Sequence, residues 1–130
     1  MIVELTDKYK EELSKTFDIN IEGELITNPF SHYLIYLDND KILGYLNYYL
    51  IYDRVEIANF YVLEEYRNNG IGSKLLDCLI NNIDYSNITL EVNETNDIAV
   101  NLYLKKGFKK VAKRDGYYNG IDGILMQKDK

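Results

Sequence analysis

A short segment rich in glycine and asparagine is the part of this sequence best suited to binding an anion. It follows an apolar run that ends at Val62 and precedes a run with helical periodicity that starts at Ile71. Glycine at a helix start leaves the first backbone N–H groups uncovered, and the helix dipole adds partial positive charge there. The segment is therefore predicted to be a loop that binds phosphate through its backbone. Its residues are Arg67, Asn68, Asn69, Gly70, Ile71, Gly72 and Ser73.

Two common phosphate-binding motifs do not fit this segment. A P-loop requires a glycine, four residues and then Gly-Lys-Ser or Gly-Lys-Thr, and the chain has no such spacing. A dinucleotide fingerprint requires a third glycine at the position of Leu75, and a larger parallel sheet than a chain of 130 residues supplies. The pattern that remains is an arginine, two residues, and then Gly-x-Gly.

Apolar periodicity predicts a mixed α/β fold around this loop. The strand-like runs are Ile2–Leu5, Ser31–Leu37, Lys41–Tyr52, Val55–Val62, Ile88–Val92, Phe108–Ala112 and Ile121–Met126. Helical spacing covers a segment from the cap Thr6 to Phe17, then Ile71–Leu79 and Asn96–Lys106. The stretch that follows Phe17 is left unassigned, and the last two strands are expected to enclose a polar loop that contains Gly116 and Gly120. A strand, helix and strand over Val55–Val92 imply a locally parallel strand pair.

The composition indicates one ordinary globular domain over residues 1–130. Hydrophobic residues make up 46% and charged residues 28% of the chain, which suits a single packed core. One cysteine, Cys78, excludes an intramolecular disulfide, and one histidine, His32, makes a metal site unexpected. The net charge of −6 disfavours nucleic acid as a partner. No signal-peptide pattern follows Met1 and no apolar run approaches the ~18 residues of a membrane span, so the expected location is the cytoplasm, without a membrane partner.

Two blocks of the sequence resemble the GNAT superfamily of N-acetyltransferases. The first is Arg67 to Gly72 after the strand end Phe60-Tyr61-Val62, which is similar to the loop that holds the pyrophosphate of acyl-CoA in that family. The second is Leu90-Glu91-Val92-Asn93, followed by Asn96, Ala99, Leu102-Tyr103 and Gly107-Phe108. The stretch from Arg114 to Tyr118 is similar to the end of the ribosomal-protein alanine N-acetyltransferases, the RimI type. The resemblance extends over nearly the whole chain.

The resemblance implies a fold, an acetyl donor and a set of site residues. The implied fold is a mixed central sheet of about six to seven strands flanked by helices, with a parallel strand pair around the pyrophosphate-binding helix. The implied donor is acetyl-CoA, with no metal. Glu91 is implied as the base and Tyr103 as the acid. Cofactor contacts are implied for Phe60, Tyr61, Val62, Asn96 and each residue from Arg67 to Ser73, and substrate contacts for Asn59, Tyr117 and Tyr118.

The expected acceptor is a primary amine, most simply the α-amine of a protein or peptide N-terminus. An α-amine with an ordinary pKa near 7.7 to 8.0 is about one tenth neutral at pH 7, whereas a lysine amine near 10.4 is almost fully protonated. A carboxylate base of modest strength suits the α-amine. Transfer to a free small amine, such as an amino acid or a polyamine, is one alternative. A non-catalytic acyl-CoA sensor is another, although it has no use for Glu91 and Tyr103 together.

Two features depart from the family pattern. Asn68 and Asn69 stand where family members often carry basic residues, so phosphate binding is expected to depend on backbone N–H groups and on Arg67. The chain also lacks tryptophan, which RimI-type enzymes tend to have in a segment after the first helix.

Overall fold

Seven strands and four helices form the fold in the computed structural model, which describes residues 1–130. The strands are β1 (Ile2–Glu4), β2 (Ser31–Asp38), β3 (Lys41–Ile51), β4 (Arg54–Val62), β5 (Asn87–Asn93), β6 (Lys109–Tyr118) and β7 (Ile121–Asp129). The helices are α1 (Asp7–Phe17), α2 (Ile21–Thr27), α3 (Ile71–Asn82) and α4 (Asp97–Lys105), with a 3₁₀ turn at Glu64–Tyr66. None of these helices combines the length and the apolar character needed to cross a membrane.

All seven strands belong to one mixed sheet. Their order is β1-β2-β3-β4-β5-β7-β6. Every neighbouring pair is antiparallel except β4 and β5. These two strands run parallel, and α3 connects them in the sequence. The predicted mixed sheet with one parallel pair is confirmed.

Two parts of the chain differ from the expected element bounds. The unassigned stretch contains α2, which Asn20 caps by accepting the N–H of Gly23 at 3.0 Å. The long polar loop expected between the last two strands is wrong, because β6 continues to Tyr118 and only Asn119 and Gly120 form the turn, both with positive φ (48° and 89°). β6 is an exposed edge strand, so its second half has no alternation of apolar residues from which a strand could be predicted.

β4 and β5 separate shortly after they begin to pair. Their register covers only Arg54–Glu56 of β4. β4 remains paired with β3 as far as Val62, and β5 remains paired with β7 as far as Asn93. From Ile57 onwards β4 therefore has one edge that no strand covers. Because backbone N–H groups alternate in direction along a strand, some of them point into this gap between the two halves of the sheet.

The sheet separates two apolar cores on its opposite faces. The larger core packs α3 and α4 against the sheet and includes Tyr103. The smaller core packs α1 and α2 on the other face, around Leu13 and Ile21. Along β5, Leu90 belongs to the larger core, so the adjacent Glu91 points to the α1/α2 face, because side chains alternate along a strand.

Candidate functional site

The segment from Arg67 to Ser73, here called the glycine loop, joins β4 to α3 with unpaired backbone N–H groups. Asn68 and Gly70 have left-handed backbone conformations (φ 66° and 77°), which turn the chain immediately before the helix. No N–H group from Asn68 to Ser73 donates to an acceptor in the protein, and the first that does is Lys74, to the Gly70 carbonyl at 3.0 Å. Consecutive free N–H groups at a helix start can bind an anion such as phosphate.

Side chains around the glycine loop hold its shape. Arg67 donates through Nε to the carbonyl oxygen of Val62 at 2.9 Å, and its guanidinium lies 4.9 Å from the centroid of the Tyr61 ring. Asn69 donates to the carbonyl oxygens of Tyr66 and Arg67 at 3.1 and 3.3 Å. The terminal nitrogens of Arg67 stay available, so this residue can add a positive charge beside the free N–H groups.

Phe60, Gly72 and Tyr103 meet on the α3/α4 face of the gap. The ring centroids of Phe60 and Tyr103 are 6.5 Å apart, and a Cβ added to Gly72 would lie 3.5 Å from the Phe60 ring. Burial, with a smaller contribution from the nearby Tyr118, raises the pKa of Tyr103 to about 12. The Tyr103 phenol therefore stays protonated at physiological pH and can donate a hydrogen bond at the gap.

Glu91 lies on the α1/α2 face beside an arginine. Its Oε1 is 3.4 Å from Nε of Arg114, and a Cβ added to Gly123 of β7 would lie only 2.7 Å from the same oxygen. The guanidinium of Arg114 also lies 4.4 Å from the centroid of the Tyr117 ring, which packs edge-on against Tyr118 with centroids 4.8 Å apart. A cavity of about 170 Å³ is lined by Glu91, Ala112, Lys113, Arg114 and Leu125.

Glu91 and Tyr103 lie on opposite faces of the sheet. Tyr118 is close enough to each of them to interact electrostatically. Burial raises the pKa of Tyr118 and the negative charge of Glu91 raises it further, while Tyr118 in turn contributes to the raised pKa of Tyr103. The polar groups of the two faces therefore come closest to one another near Tyr118.

Asn59 is held by a buried asparagine, Asn47, that was not among the residues predicted for the site. The Nδ2 of Asn59 donates to Oδ1 of Asn47 at 3.0 Å. Asn47 is fully buried on β3, and its own Nδ2 donates to Ser31 Oγ and to the His32 carbonyl oxygen, both at 2.9 Å. The available signal was an asparagine inside the apolar run of β3, since a buried polar side chain requires partners.

Three other residues also have contacts that the sequence did not show. Asn96 accepts the N–H of Ala99 at 3.2 Å and so caps α4, which leaves its Nδ2 group unused. Ile71 is buried in the larger core, so it can contribute only its N–H group to the glycine loop. The contact of Arg114 with Glu91 crosses β7 and depends on the register of three strands.

The structure contains no group of three or more His, Cys, Asp or Glu side chains placed to hold a metal ion.

The sequence matches known proteins over most of its length. The Acetyltransferase (GNAT) family matches at residues 2–108. A ribosomal protein bS18-alanine N-acetyltransferase of Haemophilus ducreyi is 32% identical over 107 residues, which cover 78% of this chain and 74% of that protein.

Solved structures match the fold as well. The ribosomal-protein-S18-alanine N-acetyltransferase of Escherichia coli superposes with a TM-score of 0.86 at 23% identity, covering 99% of this chain and 92% of that one. A GNAT family acetyltransferase of Elizabethkingia anophelis with acetyl-CoA bound superposes with a TM-score of 0.76 at 20% identity, covering 100% of this chain and 97% of that one. At these identities the two structures show a shared fold.

Proposed function

This chain belongs to the acetyltransferase (GNAT) family and is an N-acetyltransferase, and we propose that it acetylates the α-amine at the N-terminus of a protein or peptide. The observation that carries this proposal is the gap between β4 and β5. One face of the sheet offers a glycine loop suited to phosphate, and the other offers a carboxylate suited to removing a proton from an amine. The two substrates would approach from opposite faces and react in the gap.

The residues of the α3/α4 face fit acetyl-CoA, which supplies the thioester that the amine attacks. The free N–H groups from Asn68 to Ser73 suit its diphosphate, and Arg67 adds positive charge beside them. The uncovered edge of β4 at Phe60–Val62 offers backbone hydrogen bonds to the amide groups of its pantetheine arm. Asn96 has a free Nδ2 group for the same purpose.

We assign removal of the amine proton to Glu91, directly or through a water molecule, as the new N–C bond forms. N–H groups on the uncovered edge of β4 would stabilise the oxyanion. Tyr103 would donate a hydrogen bond to the departing thiolate. Because its pKa of about 12 lies well above the ~8.5 of an ordinary thiol, Tyr103 would keep its proton instead of transferring it.

Several observations support an N-terminal acceptor. The Haemophilus ducreyi relative is named for acetylating an alanine of a ribosomal protein. An α-amine needs less help from a base than a lysine amine does, because it is partly neutral at pH 7. The α1/α2 side of the gap and its rim carry a set of residues here called the acceptor face, namely Asn59, Glu91, Arg114, Tyr117 and Tyr118.

We also propose that residues 1–130 act as a single acyltransferase domain in the cytoplasm, where ribosomal proteins are made.

An assay with matched acceptors tests the proposal. One peptide has a free N-terminal alanine and no lysine, the second has the same sequence with a blocked N-terminus and one lysine, and spermidine represents small amines. We expect the free N-terminus to be acetylated at least about tenfold faster, with release of one CoA thiol per acetyl group located by mass spectrometry. Equal rates on both peptides, or turnover of spermidine alone, would contradict the N-terminal acceptor.

A further inference from the structure

Asn47 lies at an irregularity between β3 and β4. The register shifts next to it, so that Asn47 pairs with Asn59 while Tyr48 pairs with Ile57. Its exposed fraction is 0%, and Asn47 and Ser31 are the only polar or charged residues that are buried in the protein. The two buried residues share a hydrogen bond, and Asn47 links them to the surface at Asn59.

The partners of Asn47 determine which way its amide points. The His32 carbonyl oxygen can only accept a hydrogen bond, so the Nδ2 end of Asn47 must face it. The Oδ1 end then faces Asn59 and requires a donor. Asn59 meets this requirement with its own Nδ2 at 3.0 Å. As a result, Oδ1 of Asn59 is turned away from Asn47.

Asn59 lies at the gap on the same side as the carboxylate. It comes three positions after Glu56, the last residue of β4 that pairs with β5. Tyr61, two residues further on, packs against Phe17 of α1 with ring centroids 5.8 Å apart. Because side chains alternate along the strand, Asn59 faces the α1/α2 side, as Glu91 does. Asn59 is exposed, so its Oδ1 is accessible to an incoming amine.

We propose that Asn47 is a positioning residue for acetyl transfer, because it turns the Asn59 amide so that Oδ1 accepts an N–H bond from the acceptor amine. A neutral primary amine has two N–H groups and one lone pair. With one N–H held by Asn59 and the other facing Glu91, which takes that proton as the N–C bond forms, the lone pair is directed across the gap towards the donor. This inference rests on the proposed N-terminal acceptor and names the residues that orient it.

Leucine substitutions test the inference, because leucine keeps the branched shape of asparagine, although it is larger, and removes its polarity. We expect Asn47→Leu to raise KM for the N-terminal peptide about tenfold, as for the loss of one oriented hydrogen bond, and to leave KM for acetyl-CoA within about twofold. Asn59→Leu should have the same effect. The double variant should lose no more than about twofold beyond either single variant, because both substitutions remove one shared contact.

Asn82→Leu is the matched control. Asn82 donates to the Cys78 carbonyl at the end of α3 furthest from the glycine loop. This variant should leave both KM values unchanged. A purely structural role for Asn47 predicts a different pattern, in which KM for acetyl-CoA and KM for the peptide rise together.

Three outcomes would overturn the inference. They are an unchanged peptide KM in Asn47→Leu, equal rises in both KM values, and single losses that multiply to about 100-fold in the double variant. The unchanged chain serves as a separate check. If it does not acetylate the peptide, the proposed acceptor fails and this inference fails with it, whereas normal turnover with any of the three outcomes refutes this inference alone.

A second variant keeps the test decisive if Asn47→Leu does not fold. Asn47→Ser retains a polar group in the buried site but is too short to reach Asn59, so the same difference between the two KM values is expected. Nuclear magnetic resonance adds a readout independent of activity. The Nδ2 proton of Asn59 that bonds to Asn47 should exchange slowly in the unchanged chain and rapidly in Asn47→Ser. Rapid exchange in both would show that the Asn47 bond does not hold Asn59.

Discussion

The glycine loop and the acceptor face differ in the atoms they offer and in how these atoms are brought together. The glycine loop offers backbone N–H groups from consecutive residues, Asn68 to Ser73. The acceptor face offers side chains from three separate strands, including Glu91 of β5, Asn59 of β4 and Arg114 of β6. One region is built by a local turn, and the other exists only once the sheet has formed.

This difference indicates how each region should respond to substitution. A backbone site tolerates the loss of a neighbouring side chain, but it is sensitive to a new side chain that covers its N–H groups. A side-chain site loses its chemistry when one functional group is removed. We therefore expect the largest effects from groups that act at the gap, and the smallest from Arg67, the charged side chain of the glycine loop.

The largest effect is expected at Tyr103, which lies at the gap. Tyr103→Phe keeps the ring and removes only the hydroxyl, so kcat should fall by roughly 10² to 10³, as for the loss of one hydrogen bond to a developing negative charge, while KM for acetyl-CoA changes little. Because burial raises the pKa of this phenol to about 12, ionisation of Tyr103 should cause no loss of activity in the wild type below about pH 11. The measurement is steady-state kinetics from pH 6 to 10, with Tyr85→Phe as the control for a buried tyrosine of the same core. Wild-type turnover in Tyr103→Phe would return this residue to a packing role.

Glu91 should show the second largest effect and distinguishes the class of acceptor. Glu91→Gln is expected to lower kcat/KM about 10²-fold at pH 7, because the base is lost. For an α-amine with an ordinary pKa of 7.7 to 8.0, up to about tenfold should return by pH 9 as the amine becomes neutral in solution, whereas for a lysine amine recovery should continue to about pH 10.

The control for Glu91 is Glu56→Gln, an exposed carboxylate where β4 and β5 are still paired. It should retain wild-type rates at every pH. A rate loss in Glu91→Gln that is the same at pH 7 and pH 9 would argue against a role in proton removal.

Gly72 tests the backbone character of the glycine loop. A Cβ at this position makes ordinary contact with Phe60, so Gly72→Val should fold, but its added methyl groups should hinder approach to the N–H groups. We expect acetyl-CoA to bind about 30-fold more weakly. At a concentration of 100 times the wild-type Kd, stabilisation by the ligand should then fall from about 2.7 to about 0.9 kcal/mol in thermal denaturation. Gly72→Ala should lose less than about fivefold, and an undiminished shift in Gly72→Val would remove the loop from cofactor binding.

The smallest effect is expected at Arg67. Arg67→Gln removes one charge but leaves the free N–H groups in place, so acetyl-CoA affinity should fall only about fivefold, and by less at high salt because exposed charges are screened. Titration calorimetry at two salt concentrations measures this, with Lys74→Gln on the first turn of α3 as the control. If Arg67→Gln lowered the affinity for acetyl-CoA more than Gly72→Val does, the glycine loop would bind mainly through a side chain and not through its backbone N–H groups.

Much of the fold was predictable because its signals are local. Strand and helix periodicity indicated every element except α2, and the strand, helix and strand around Ile71 implied the parallel pair that the structure contains. The extent of β6 was missed, because an exposed edge strand has no buried face to impose an alternating pattern. The separation of β4 and β5 was not predictable either, since it depends on where the pairing of two strands ends in the folded sheet.

The sequence by itself determined the glycine loop, because consecutive residues and a helix start are enough to place free N–H groups side by side. It also singled out Glu91 and Tyr103, through the resemblance of their blocks to a known family. Only the tertiary structure placed these two residues on opposite faces of the gap, set Arg114 against the carboxylate and linked Asn47 to Asn59. The physical reason is that these contacts depend on strand register and side-chain direction across the sheet, and a one-residue change in register would send each side chain to the other face.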